Sequence, residues 1–370
     1  MKNIYLDYNA TSPLRPEVLT AMEPYFKDQF GNPSSFHRMG QKVRHSLEEA
    51  RETIRKFLGK NDGELIFTSS ATEANNLAIL GLSPKRQVLA SPIEHLSVLK
   101  PLEFLKKKGV EVDWVVPSEE GEVSAHEIIK RIKPETDFVT LMAANNETGV
   151  LQPVHQIKKN DFYFHVDAVQ VFGKMKFDFS RLDADCISIS AHKIGGPKGI
   201  GALWMREGLK IEPILFGGHH EKNLRPGTEN LPAVIGFAKA AEVAFGELEK
   251  EEARIRTLRD WFESEILNKI ADTFVNGAPT LRLPNTSNLS FVGVETETLL
   301  MKLDSEGVYA SSGSACTSGS IDPSHVLLAM NLPKNRVRSA IRFSLGHGTR
   351  KEDLEYLLER LPSWIKVLRG

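Results

Sequence analysis

Ser190-Ala191-His192-Lys193-Ile194-Gly195-Gly196-Pro197-Lys198-Gly199 decides how this chain is read, together with the earlier stretch His165-Val166-Asp167-Ala168-Val169-Gln170. Lys193 closes an apolar strand and enters a glycine-rich turn, from which its amine can form a Schiff base with a carbonyl cofactor. Asp167 closes the preceding strand, where a carboxylate can hold a protonated pyridine nitrogen. A lysine and an aspartate so placed are what pyridoxal 5′-phosphate (PLP) requires of a protein. Each residue alone has a plainer reading, a solvated loop lysine and a strand-end cap, since charged residues are common in loops. The surrounding sequence decides between them.

Outward from this pair, helical and strand patterns alternate between residues 40 and 205, the signature of a mainly parallel sheet flanked by helices. Val43, Leu47, Ala50, Ile54 and Leu58 share one helical face, and Gly59 closes that segment. Seven strands are predicted: Glu64–Thr68, Gln87–Ala90, Val110–Val116, Phe138–Ala143, Tyr163–Val166, Cys186–Ser190 and Ile200–Trp204. Ser124-Ala125-His126-Glu127 is a capping box opening a helix that runs to Arg131. Beyond residue 230 the texture changes. Ala233 to Ala271 reads as a long helix, and Ser287–Val292, Gly307–Ala310 and Arg338–Ser344 belong to a compact α+β domain. The expected division is a large α/β domain over 15–250 and a smaller α+β domain built from 1–14 and 251–370.

Composition narrows the function. A chain of 370 residues, 41% hydrophobic and 26% charged, has the make-up of an ordinary globular protein with one large and one smaller domain. A net charge of −1 gives no electrostatic reason to expect direct nucleic-acid binding. Lys106-Lys107-Lys108 ends an amphipathic helix, where cations complement the dipole. No apolar run approaches membrane-spanning length, and the acidic Asp7 interrupts the N-terminal stretch where a signal peptide needs its apolar region. A cytoplasmic location is expected.

Further candidates gather at predicted strand ends, where the active sites of such sheets lie. Ser69-Ser70-Ala71-Thr72 opens a helix whose first amides make an anion site, with Thr72 adding a hydroxyl; a plain helix cap would look the same. His95 is predicted to end its strand and could stack on a planar ring and shuttle protons, although a lone histidine is more often structural. Arg342 lies among apolar residues in Ile341–Gly346. Its fork suits an α-carboxylate or, equally, an internal salt bridge. His219-His220-Glu221 lacks a third ligand at suitable spacing, so no metal site is expected there. The two cysteines form neither a disulfide framework nor a zinc site. Cys186 lies in an alternating strand and reads as core. Cys316 lies in Ala310-Ser311-Ser312-Gly313-Ser314-Ala315-Cys316-Thr317-Ser318-Gly319-Ser320, predicted to be an exposed, mobile loop whose far end is fixed by an Asp322 cap and Pro323 starting a helix.

The ordered set of motifs resembles the cysteine desulfurases of the NifS/IscS-like group, within the class V aminotransferases of PLP fold type I. The likeness runs from Tyr5-Leu6-Asp7-Tyr8-Asn9-Ala10-Thr11 and Gly31-Asn32-Pro33-Ser34-Ser35 through Asn145-Asn146-Glu147-Thr148-Gly149 and the two opening stretches. It continues through Arg225-Pro226-Gly227-Thr228-Glu229-Asn230 to Ser311–Ser320 and Arg342–Gly346. It implies Lys193 as the lysine that carries PLP, Asp167 at the ring nitrogen, Gln170 at the ring hydroxyl and Asn146 beside ring and substrate. Ala71, Thr72, Ser190 and His192 would form the phosphate cup, completed by Thr228 from a second subunit of a homodimer. His95 would stack on the ring, Arg342 would take the substrate carboxylate, and Cys316 would carry a persulfide. The resemblance also lets Cys316 transiently share a nascent iron–sulfur cluster with a scaffold.

The implied reaction converts L-cysteine to L-alanine and leaves its sulfur on Cys316, for an acceptor that is an iron–sulfur scaffold or a tRNA-thiolation protein. Ile194-Gly195-Gly196 lacks the aromatic or histidine often found before the second glycine, and Gly370 ends the chain short of the tail of the housekeeping branch. Leu224–Asn230 leans toward the nitrogen-fixation-type branch. A selenocysteine lyase or a small-amino-acid aminotransferase of the same fold would keep Lys193 and Asp167, but the aminotransferase has no use for Cys316.

Overall fold

The computed structural model describes residues 3–60, 62–158, 160–313 and 322–370. Its strands in chain order are β1 (Ile4–Tyr5), β2 (Glu64–Thr68), β3 (Gln87–Ala90), β4 (Glu111–Trp114), β5 (Thr136–Met142), β6 (Tyr163–Asp167), β7 (Cys186–Ser190), β8 (Gly201–Met205), β9 (Thr273–Val275), β10 (Thr286–Phe291), β11 (Val308–Tyr309) and β12 (Ala340–Ser344). The seven predicted strands form one sheet in the order β2-β8-β7-β6-β5-β3-β4. All its pairings are parallel except those of β8 with β2 and β7. Because β8 is antiparallel to both neighbours, β2 runs the same way as the remaining strands. Their carboxyl ends therefore share one edge, with Thr68 and Ser190 both registered on Gly201.

These strands are nearly continuous apolar runs because helices cover both faces. Arg38–Phe57 buries the predicted face of Val43, Leu47, Ala50 and Ile54, and Gly59 turns the chain at φ +59°. The main core contains Phe164, Phe172, Trp204 and Phe237, each no more than 1% exposed. Full burial of side chains this size contributes roughly 2–3 kcal/mol each. A second core, around Leu6, Phe262, Phe291 and Phe343, lies under the antiparallel sheet β12-β10-β9. The helix Leu231–Lys269 joins the two. Asn230 caps it, and its buried face passes from Ala233–Ala244 in the first core to Ile255–Ile266 in the second. At 1.5 Å per residue its 39 residues span about 58 Å.

Among the described residues no helix is long and apolar enough to cross a membrane. Asp322 and Pro323 do not start the helix that follows them. Ser324 is its cap, its Oγ accepting from Leu327 N at 3.1 Å, and the helix covers His325–Ala329.

Candidate active site

The shared sheet edge delivers the site. Asn9, Ala71, Thr72, His95, Asn146, Asp167, Gln170, His192, Lys193 and Arg342 line one cavity of about 380 Å³. These residues come from both ends of the chain, from the turns after β2, β3, β5, β6 and β7, and from β12.

Lys193 lies in the tight turn Ala191–Lys193 that follows β7. The turn returns through Gly195 at φ +84°, where a Cβ would also come within 2.6 Å of the Arg15 side chain. Lys193 Nζ donates to Asn9 O at 2.6 Å and Ala10 O at 2.8 Å. Burial, reinforced by the Arg342 guanidinium, brings its pKa down to about 8, against smaller opposing pulls from Asp167 and Asp7. The amine is thus available in its neutral, nucleophilic form near physiological pH.

Asp167 ends β6 with both oxygens engaged. Oδ2 accepts from Asn75 Nδ2 at 2.8 Å and Oδ1 from Val169 N at 3.0 Å. Asn75 also donates to Ser97 Oγ, which lies 2.7 Å from His95 Nδ1, so aspartate and histidine share one hydrogen-bonded support. His95 does not end a strand. Proline cannot continue a ladder; β3 stops at Ala90, Pro92 falls in the turn that follows, and His95 caps the helix Leu96–Lys107. Its Nδ1 accepts from Ser97 N at 3.1 Å. Burial lowers the His95 pKa, which favours the neutral imidazole; Asp167 opposes this.

Also lining the cavity, Ser70 caps the helix Ala71–Leu82, its Oγ accepting from Glu73 N at 3.3 Å. The first amides of such a helix have no intrahelical acceptors and suit an anion. Gly201 sits where a Cβ would lie 2.6 Å from Ala71 N, so only glycine lets β8 pass this close. Ser190 Oγ is buried without a hydrogen-bond partner among the described residues. An orphaned hydroxyl beside a helix start fits a phosphate, as Lys193 fits an aldehyde and Asp167 a pyridinium nitrogen. His192 Nδ1 is 3.1 Å from Thr11 Oγ1, and burial with the charges of Lys193, Lys174 and Lys198 lowers its pKa to about 3.

Arg342 satisfies both of its sequence readings. It pairs with Asp7 at 2.7 Å and donates to Asn146 O at 2.9 Å, yet it lines the cavity, and its Nε is buried without a partner among the described residues. Gln170 Nε2 donates to Asn9 O at 3.2 Å, while its Oε1 accepts from Lys174 Nζ at 2.6 Å. Thr228 is exposed in a loop and does not line the cavity of its own chain. Cys316 lies outside the described residues. Cys186 is wholly buried in β7, and burial pushes its thiol well above the ordinary range.

Several supporting residues escaped the sequence reading. Asn75 was legible in principle, because an asparagine inside a helix, buried on the face it shares with Ala74 and Ala78, needs a partner. Lys174, four residues beyond Gln170, carries no such signal. It also donates to Asn9 Oδ1, and burial and the nearby Lys193 and Arg342 hold its amine well below its usual range. Asp7 and Asn9 stand far from the site in sequence, and nothing short of the fold brings them there.

An internal lysine, a carboxylate for a ring nitrogen and a helix start for a phosphate, at one edge of a mostly parallel sheet, define a PLP enzyme of fold type I. The chain belongs to the aminotransferase class-V family, whose model matches residues 4–357. It is 46% identical to cysteine desulfurase IscS of Dictyoglomus turgidum, over 100% of this chain and 96% of that one. It is 42% identical to cysteine desulfurase IscS 1 of Archaeoglobus fulgidus, over 99% and 98% of the two chains. A solved NifS-like protein superposes with a TM-score of 0.93 at 35% identity, covering 99% of this chain and 100% of the other.

Proposed function

We propose that this chain is a cysteine desulfurase that turns L-cysteine and its own Cys316 thiol into L-alanine and a Cys316 persulfide. The sulfur then serves iron–sulfur cluster assembly, with a tRNA-thiolation protein as the other acceptor. The observation that carries this reading is the single cavity in which Lys193, with its pKa near 8, faces Asp167, His95 and Arg342. PLP, when bound, supplies an electron sink for bonds at the substrate α-carbon.

The protein's part is proton handling and orientation. Asp167, held by Asn75 and Val169, keeps its carboxylate aimed at the ring nitrogen. Gln170 would donate to the ring hydroxyl, and Asn146 would lie beside ring and substrate. Ala71, Thr72, Ser190 and His192 hold the phosphate, completed by Thr228 of a second copy in a cytoplasmic homodimer. Arg342 takes the substrate α-carboxylate, Lys193 accepts the α-proton, and neutral His95 passes a proton at the substrate side. The substrate C–S bond is replaced by C–H, while Cys316 sulfur gains an S–S bond and is oxidised, so the equation balances without an outside oxidant. The proposed division into a 15–250 PLP domain and a 1–14 plus 251–370 domain is supported by the second core, which draws only on Ile4, Leu6 and residues from Ile255 onward, while Leu283 and Val326–Ala340 pack into the first core.

Mass spectrometry of the PLP-loaded protein after one turnover of cysteine tests this. A gain of one sulfur atom on the Cys316 peptide is expected, with alanine formed. Cys316→Ser should keep PLP and lose alanine formation by at least about a thousandfold, as for loss of a covalent nucleophile. Cys186→Ser should keep the rate. Sulfur on Cys186, or normal alanine formation by Cys316→Ser, would remove Cys316 from the reaction and favour the selenocysteine-lyase reading; a keto acid in place of alanine would leave the aminotransferase reading.

A further inference from the structure

Three consecutive non-glycine residues, Glu221, Lys222 and Asn223, have φ of +42°, +58° and +66°. Left-handed backbone is disfavoured for residues with a Cβ and normally occurs one residue at a time. Such a run persists only where the surroundings enforce it. Here the enforcement is visible. Arg51 makes a two-pronged pair with Glu221, Nη1 to Oε2 and Nη2 to Oε1, both at 2.8 Å. Both side chains are almost wholly buried. Phe67 N donates to Glu221 Oε2 at 2.7 Å, and Arg51 Nη1 donates to Leu65 O at 2.6 Å.

The turn is thus bolted to β2, whose end opens the phosphate cup. Its other arm leads to Arg225–Asn230, where Thr228 is exposed and away from its own cavity. Arg225 Nε in turn donates to Glu73 Oε1 at 3.0 Å, and Glu73 Oε2 accepts from Ser69 N at 2.7 Å at the start of the phosphate-cup helix. Two ion pairs therefore fix the outgoing arm to the strand and helix that build the chain's own cup.

We infer that Arg51 and Glu221 are positioning residues for cofactor held by the other subunit: their pair sets the left-handed turn that aims Thr228 across the dimer. This rests on the reading that Thr228 completes the partner's phosphate cup. A purely structural ion pair would damage the chain that carries the mutation. A positioning pair damages the site across the interface, and that difference is measurable.

The test uses PLP-loaded hybrid dimers, assembled from differently tagged chains. One chain carries Lys193→Ala, so the only lysine-bound cofactor in the hybrid sits on the other chain. Loss of that cofactor during dialysis is read by borohydride fixation to Lys193. With Glu221→Ala on the Lys193→Ala chain, cofactor on the unmutated partner should be lost about tenfold faster, the scale of one charge-assisted hydrogen bond. With Glu221→Ala on the chain that keeps Lys193, retention should fall clearly less than in the first arrangement, because the loosened β2 touches only the mutated chain's own cup. If Glu221→Ala does not fold, Glu221→Gln with Arg51→Met is read the same way. Thr228→Ala, placed in both arrangements, separates the two ideas. If Thr228→Ala does not act in trans, the shared cup fails. If it acts in trans while the Glu221 variants act no more strongly in trans than in cis, the positioning role fails.

Discussion

The Lys193 amine is governed by its neighbours. With a pKa of about 8 in place of 10.5, the neutral form at pH 7 is roughly 300-fold more abundant than for an ordinary lysine. The rate at which PLP-free protein takes PLP onto Lys193 should therefore rise with pH and level off above an inflection near 8. Arg342 pushes the pKa down and Asp7 pulls it up, so the variants have opposite signs. Arg342→Met should move the inflection to higher pH and Asp7→Asn to lower pH, read by stopped-flow absorbance. A wild-type inflection near 10, or both variants shifting the same way, would overturn the electrostatic account. At this scale the sequence was most informative where chemistry forces a residue type, as at Lys193 and Asp167. It assigned no role to Asp7 and Asn9, which reach the site only because the fold brings the N-terminal segment onto the sheet edge, or to Lys174, whose amine matters only because Asn9 and Gln170 meet it there.

Among the elements, those with strong periodicity were legible and their junctions were not. β2, β3 and β7 fall on their predicted limits, while β4 is shorter than expected at Glu111–Trp114. The His95 and Ser324 caps show why: a cap is chosen by which side chain reaches a free amide, and spacing alone does not reveal it. Inside the sheet, His165 of β6 lies 2.9 Å by Nδ1 from Thr140 Oγ1 on β5 and 3.0 Å by Nε2 from Ser188 Oγ on β7, stitching three strands. Burial lowers its pKa to about 4. Because the folded value lies below the unfolded value of about 6.5, the neutral ring favours folding, and that contribution is lost as pH falls from about 6.5 toward 4. At pH 5 the loss is about 2 kcal/mol. His165→Gln keeps hydrogen-bonding groups on both sides without titrating. Urea titrations at pH 7 and pH 5 should therefore give a smaller pH-dependent loss in the variant, by about that amount. Equal losses in the two proteins would remove His165 from the acid response.

At the scale of the molecule, the chain exposes apolar surface that a lone subunit has no use for. Phe36 and Phe216 are 90% and 89% exposed, and Phe26 and Phe30 are 62% and 66% exposed. With about 200 Å² per ring, the four present roughly 600 Å², against the ~800 Å² that each partner buries in a standard interface. Exposure on that scale marks contact surfaces in soluble proteins. Phe36 stands just before the helix Arg38–Phe57, which carries Arg51, and Phe216 a few residues before the left-handed turn at Glu221. In sequence, the exposed rings thus flank the two residues, Arg51 and Glu221, proposed above to position Thr228. If a second copy of this chain covers them, the same interface would serve the proposed sharing of Thr228. Phe36→Glu with Phe216→Glu should give a monomer by light scattering. Its secondary structure should be intact, because neither ring belongs to a core, and PLP should be lost on dialysis at least about tenfold faster than from the parent. A wild-type monomer that holds PLP, or a monomeric variant that holds it equally well, would mean that each chain builds its site alone.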